Sequence, residues 1–260
     1  MVKSPLNNRP MSRSNVHHLH ARNPHDSAPR DARVLQAFAA ALARCPPKPA
    51  GIAACVAWLQ ESPAQLEARP MALRALQSLR DSLFTAPGRE AEMALLWREA
   101  LATACYARAL ASEMGRDAPL LTGVGLLHRA GEIAALRALA QAERETGQHI
   151  LGPVMQEIFD AGDDELASRV TRSWGLPGEM RLAIIRWREQ QDSLDRPECV
   201  TLLMMAQALA TELVHAATCT PGLVEAAGEA LKLPSPMVVR ARAAAGDIAA
   251  LLAVLAPPLS

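Results

Sequence analysis

Hydrophobic residues recur every three or four positions along most of the chain, which is the spacing of one face of an α-helix. In the segment 31–45 an acidic start precedes apolar residues at 34, 35, 38, 39 and 42. The segment 89–114 repeats the pattern at 93, 96, 97, 101, 104 and 105. No stretch alternates apolar and polar residues with a period of two, so no β-strand is expected. The pattern predicts an all-α protein.

Proline, glycine and cap residues divide this pattern into the helices of a globular bundle. Pro70 opens one helix, Gly131 is expected to stop another, and Gly147 to end the next. The helices are predicted near 31–45, 50–60, 62–70, 71–84, 89–114, 119–131, 132–146, 150–160, 163–173, 178–190, 195–217, 221–231 and 235–256. Residues 1–30 have no apolar period and are rich in Asn, Ser, Pro, His and Arg, so a disordered tail is predicted there.

Charge argues against nucleic acid as a specific partner. The chain has 27 Lys and Arg against 27 Asp and Glu. Residues 1–33 hold six basic residues and two acidic ones, a balance of +4, so the rest carries −4. A slightly acidic domain without a basic stripe binds nucleic acid poorly. His17, His18, His20 and His25 could bind a transition metal loosely, but a solvated basic tail explains them more simply.

The cysteines and the apolar runs favour a cytoplasmic protein. The five cysteines are odd in number, and no two lie within four residues of each other, so neither a zinc motif nor a disulfide framework is predicted. The first residues lack the apolar core of a secretory signal. The longest apolar run, 248–256, is too short to span a bilayer, so no membrane association is expected.

The best-known catalytic motifs are absent. Gly123-Val124-Gly125 resembles part of a nucleotide loop, but no strand precedes it and neither a third glycine nor a Lys-Ser/Thr pair follows. Small residues that allow close helix packing explain it better. The sequence contains neither Gly-x-Ser-x-Gly nor His-Glu-x-x-His. No cofactor is predicted.

His128 closes an apolar segment, and Arg129 follows it. In one class of helical hydrolases, a His-Asp pair at such a place helps to hold a metal ion. Metal-dependent hydrolysis needs several His and carboxylate ligands around a metal-bound water. A guanidinium cannot ligate a metal and repels one if it faces the site. The sequence thus raises the choice between an active site and the remains of one.

Several segments together resemble the HDOD domain, an HD-related output domain of bacterial signalling proteins. The matching positions, in order, are Trp97, Gly125-Leu126-Leu127-His128, Gly131, His149 and Trp174-Gly175-Leu176-Pro177. Pro70, Leu73 and Phe84 match a weaker amino-terminal stretch, in which Arg69 stands where Asp is usual. The resemblance covers roughly 35–250 and is best over 95–190, and one amino-terminal element of the family is missing. It implies an HD-like bundle over 87–260, a small helical lobe over 31–86 and a tail over 1–30.

The resemblance also implies a function without catalysis. HDOD domains are regarded as non-hydrolytic, and here Arg129 replaces Asp, Arg98 and Glu99 stand where an upstream His is usual, and Trp187 stands near an expected His-His pair. We expect a remnant pocket that holds His128, Arg129, His149, Trp97 and Glu99, with no metal. Trp174, Gly175, Leu176 and Pro177 are expected to be structural, and a buried core His is the simpler reading of His128.

Three functions remain open at this point. The first is a non-catalytic regulatory domain that binds signalling proteins. The second is an HD-type phosphohydrolase with an atypical ligand set of Glu99, His128, His149 and Asp163 or Asp164. The third is an inert helical scaffold.

Overall fold

The computed structural model describes residues 24–44, 51–61, 65, 68–150, 166–189, 197–215 and 222–256. It is an all-α fold, and no residue of these ranges lies in a strand. The helices are α1 (Pro24–Ala43), α2 (Ile52–Trp58), α3 (Pro70–Leu83), α4 (Glu90–Glu113), α5 (Ala118–Leu127), α6 (Ala130–Thr146), α7 (Gly178–Glu189), α8 (Glu198–His215), α9 (Leu223–Ala230), α10 (Ser235–Ala243) and α11 (Ala245–Leu255). Residues 166–173 are also helical. The predicted fold class is confirmed.

Helix α4 is the centre of the fold, and it contacts α5, α6, α8, α10 and α11. Small residues on α4 let these neighbours approach closely. At Gly125 of α5, an added Cβ atom would lie 2.9 Å from the Cα atom of Ala104. An added Cβ atom at Gly123 would instead meet the side chain of Met180, so packing explains both glycines, as the sequence suggested.

The break between α5 and α6 sets the positions of His128 and Arg129. Helix α5 ends at Leu127 and α6 begins at Ala130, so Gly131 lies inside the first turn of α6 and does not stop α5 as predicted. The His128 ring explains the earlier stop, because its Nδ1 lies 2.7 Å from the carbonyl oxygen of Gly125. In a continuing helix this carbonyl would accept from the backbone N–H of Arg129.

The predicted lobe and bundle share one core. Helix α1 packs along α6, and α3 contacts α11. The buried apolar residues form a single cluster that runs from Val34 to Ala256. A boundary at residue 86 therefore does not separate two hydrophobic cores.

Two helix boundaries differ from the prediction. Helix α1 begins at Pro24, inside the segment 1–30 predicted to be disordered, and residues 1–23 lie outside the described part. The predicted helix 235–256 is two helices that meet at Ala244. Neither a proline nor a polar cap residue marks that break, so the periodicity gave no sign of it. The predicted helix 150–160 and most of 62–70 lie outside the described residues.

A search of the described helices finds none that is both long enough and apolar enough to span a membrane.

Candidate functional site

Arg129 lies at the junction of α5 and α6 and is held by two carboxylates. Its Nε atom lies 2.5 Å from Oε2 of Glu132, and its Nη2 atom lies 2.6 Å from Oε1 of the same residue. Its Nη1 atom donates to Oε2 of Glu99 on α4. The side chains of Arg129, Glu99 and Glu132 are 22%, 13% and 19% exposed. The guanidinium thus faces the site and fills the space between two half-buried carboxylates.

His215, the last residue of α8, joins this cluster. Its Nε2 atom lies 2.6 Å from Oε1 of Glu99. Glu99 therefore contacts Arg129 with one carboxylate oxygen and His215 with the other. We call Glu99, Arg129, Glu132 and His215 the arginine cluster.

The arginine cluster pairs one guanidinium with two carboxylates. A bidentate Arg–carboxylate pair is among the strongest side-chain contacts, and here the same Arg also binds a second carboxylate. Both Glu side chains share this one cation, which the chain itself supplies. Among the described residues, no group of three or more His, Cys, Asp or Glu side chains is placed to hold a metal ion.

His128 lies beside the arginine cluster but points into the core, with 1% of its surface exposed. A carbonyl oxygen can only accept, so Nδ1 of His128 carries a proton and donates to Gly125. The Trp187 ring packs edge-on against the His128 ring, with centroids 4.7 Å apart and planes at 86°. This bulky indole occupies the space next to the imidazole.

Two residues expected in the pocket lie elsewhere. His149 is 86% exposed and lies 3.6 Å from Glu143 at the end of α6, whereas His128 precedes the start of that helix. The 17 residues of α6 span about 25 Å, and the two histidines lie near opposite ends of this helix. Trp97 donates its indole N–H to the carbonyl of Leu255 and packs against Phe84, so it faces the core. Asp163 and Asp164 lie outside the described residues.

Sequence reasoning missed two members of the arginine cluster. Glu132 stands three residues after Arg129, a spacing at which helical side chains meet, so its pairing was open to prediction. His215 is 116 residues from Glu99, and no motif surrounds it. Only the packing of α8 against α4 brings it to the site.

The Trp174–Pro177 turn is a helix-ending motif. Gly175 has a φ of +62°, Leu176 N–H donates to Thr171 O at 3.2 Å and Gly175 N–H donates to Arg172 O at 3.0 Å. This pair of bonds is the Schellman arrangement, in which a left-handed glycine satisfies the last carbonyls of a helix. Trp174 is fully buried, and α7 begins directly after Pro177. The turn and the starts of α2 and α5 border an apolar groove of about 590 Å³.

A comparison with models of protein families finds one family that matches part of this chain. The family model of the HDOD domain matches residues 69–190, which run from the start of α3 to the end of α7. This segment of the chain is similar to the HDOD domain. No curated protein and no solved structure matches the chain.

The HDOD match covers Glu99, His128, Arg129, Glu132 and the Trp174–Pro177 turn, but it ends before His215. The arginine cluster is thus built partly from the HDOD segment and partly from a helix beyond it. Within the matched segment, the residue that follows His128 is a cation. Arg129 at this position has its own partners, which are Glu99 on α4 and Glu132 on α6.

Proposed function

We propose that this HDOD domain is a non-catalytic regulatory module of a bacterial signalling system, which acts in the cytoplasm by binding other proteins. The observation that carries the proposal is the Arg129 guanidinium held between Glu99 and Glu132. A cation supplied by the chain stands where an HD-type site needs a carboxylate and a metal ion. The two carboxylates that could serve as ligands are already bound to it.

The burial of His128 supports the same proposal. A catalytic metal ligand must share an open coordination position with substrate or water. The His128 ring instead lies in the core, with Trp187 against it. An HD-type phosphohydrolase with Glu99, His128 and His149 as ligands is disfavoured, because α6 separates the two histidines.

The first experiment exchanges the charge at position 129. We expect Arg129→Asp to bring three carboxylates and His215 together, a donor set that suits Mn²⁺ or Mg²⁺. Added Mn²⁺ should then raise the melting temperature of Arg129→Asp, because a ligand that binds only the folded state stabilises it. Arg129→Leu removes the cation without adding a ligand and is the matched control. All chains are untagged and carry Ala at His17, His18 and His20, so that the tail binds no metal.

Metal content and phosphodiesterase turnover of the unsubstituted site complete the test. The proposal expects neither copurified metal near one per chain nor turnover of a general phosphodiester substrate. If about one metal ion per chain copurifies and is lost in His128→Ala, the non-catalytic proposal is wrong. An HD-type phosphohydrolase is then the preferred function.

The binding role needs its own experiment. Cross-linked pull-downs with the full chain should yield a protein that also binds the purified chain with saturable affinity. Failure to find such a partner across growth conditions would instead favour an inert scaffold.

A further inference from the structure

A second polar pocket, which shares no residue with the arginine cluster, lies where the end of α1 meets α6 and the turn between α3 and α4. Its volume is about 270 Å³. Its lining includes Arg44, which directly follows α1, and Arg137, Gln141 and Arg144 of α6, together with small and apolar residues. We call it the anion pocket.

The lining of the anion pocket is strongly cationic. Among the residues that the structure describes, it contains three arginines and no carboxylate. At its rim, Glu145 binds Arg44 at 3.3 Å and accepts from Gln141 at 2.8 Å. With Glu145 included, three positive charges face one negative charge. Guanidinium groups stay protonated at any physiological pH, so this excess of charge is permanent.

Hydrogen bonds to helix carbonyls use only some of the N–H donors of these arginines. Arg137 donates through Nη1 to the carbonyls of Ser82 and Leu83, which end α3. A cation is stabilised there by the helix dipole. However, these bonds use one of the three guanidinium nitrogens of Arg137. Arg144 makes no hydrogen bond to another residue of the described ranges in this pocket, although it lines the cavity. Several N–H donors are therefore available to a ligand.

We propose that the anion pocket binds a small molecule that carries a phosphate group. Arginine matches phosphate because its planar fork donates two parallel hydrogen bonds to two oxygens of one group. A pocket of about 270 Å³ lies just below the range that holds drug-sized ligands, so it suits a compact anion. The Gln141 amide adds a neutral donor beside the guanidinium groups.

Occupation of the anion pocket would join three elements. Arg44 belongs to the end of α1, whereas Arg137 and Arg144 belong to α6, and the turn between α3 and α4 closes the third side. An anion shared by Arg44 and Arg144 would hold α1 against α6. The ligand would thereby change the stability of α1 without touching the arginine cluster, so this inference is independent of the proposed function.

The test uses isothermal titration calorimetry of the full chain with inorganic phosphate and with pyrophosphate, at constant ionic strength balanced with chloride. We expect saturable binding at one site, and tighter binding of pyrophosphate because it carries more charge. The double variant Arg44→Gln/Arg144→Gln changes two exposed side chains and should weaken binding about tenfold or more. Arg74→Gln, an exposed arginine of α3 outside the pocket, is the matched control and should leave binding unchanged.

Two results would overturn the proposal. The first is the absence of saturable binding of both anions. The second is equal weakening by Arg74→Gln, which would mean general charge attraction. Circular dichroism of each variant distinguishes a folding defect from a loss of binding.

Discussion

Two helical glycines differ in whether the surrounding structure leaves room for a Cβ atom. Gly125 lies against the backbone of Ala104, whereas an added Cβ at Gly246 of α11 would meet no atom within 4 Å. Both residues are helical, so the helix propensity of alanine favours both substitutions. Packing decides between them.

We expect Gly125→Ala to destabilise the protein by about 1–3 kcal/mol, because backbone atoms of α4 cannot move aside as a flexible side chain would. Gly246→Ala should stabilise it by about 0.5 kcal/mol, since it lowers the conformational entropy of the unfolded chain. Urea unfolding of both variants measures these free energies. Equal effects of the same sign would show that Gly125 is not in close contact with α4.

For a single residue such as Arg129, the sequence shows the charge at the position but does not predict which side chains surround it. The missing carboxylate after His128 was visible in the sequence, and so was the reading of His128 as a core residue. The partners Glu99 and His215 are 30 and 116 residues from their contacts. Periodicity places each on a helix, but only tertiary packing decides which helix faces meet.

At the scale of elements, a buried ion pair fixes the exit of α6 against the entry of α4. Arg89 donates to both carboxylate oxygens of Glu143, at 3.2 and 2.6 Å. The backbone N–H of Ile150 donates to Glu143 at 2.8 Å. Burial alone raises the pKa of Glu143, but the hydrogen bonds from Arg89 and Ile150 and the charge of Arg89 outweigh it. The net result is a pKa below the ordinary value of 4.5.

This lowered pKa gives the stability a pH dependence of known sign. The contribution of Glu143 is present above about pH 4.5 and is lost as the pH falls through the lower pKa of the folded state. Glu143→Gln should cost roughly 3 kcal/mol at pH 7, because it leaves the guanidinium of Arg89 without its main counterion. It should also flatten the fall in stability below pH 4.5.

Free energies of unfolding between pH 3 and pH 7 test this prediction, with Glu179→Gln at an exposed position as the control. An unchanged acid limb in Glu143→Gln would mean that other carboxylates set the acid stability.

Helix ends show where sequence reasoning works at this scale. The Trp174–Pro177 turn was interpreted correctly, because a glycine with positive φ and a following proline leave a chemical signature. The stop of α5 was misplaced by several residues, because a His128 side chain performs it instead of Gly131. The break at Ala244 has no cap residue, so it could not be predicted. Boundaries are predictable where a special residue makes them and not where tertiary contacts do.

At the scale of the whole molecule, the shared core predicts a single unfolding event. Phe84, directly after α3, packs against Trp97 of α4 with ring centroids 5.0 Å apart, and Trp97 in turn binds the end of α11. The apolar face of α1 covers α6. The division at residue 86 would cut the contact between Phe84 and Trp97 and the packing of α1 on α6.

We therefore expect one cooperative transition, with the same midpoint by tryptophan fluorescence and by far-ultraviolet circular dichroism. A fragment of residues 87–260 should unfold with low cooperativity, because removing α1 and α3 exposes the surfaces of α4, α6 and α11 that they bury. Trp97, Trp174 and Trp187 are all buried and report on the core. Two separate transitions, or a fragment as stable as the full chain, would contradict this expectation and show that the lobe and the bundle fold independently. A coincident transition would instead mean that the HDOD segment, residues 69–190, depends on helices at both ends of the chain for its stability.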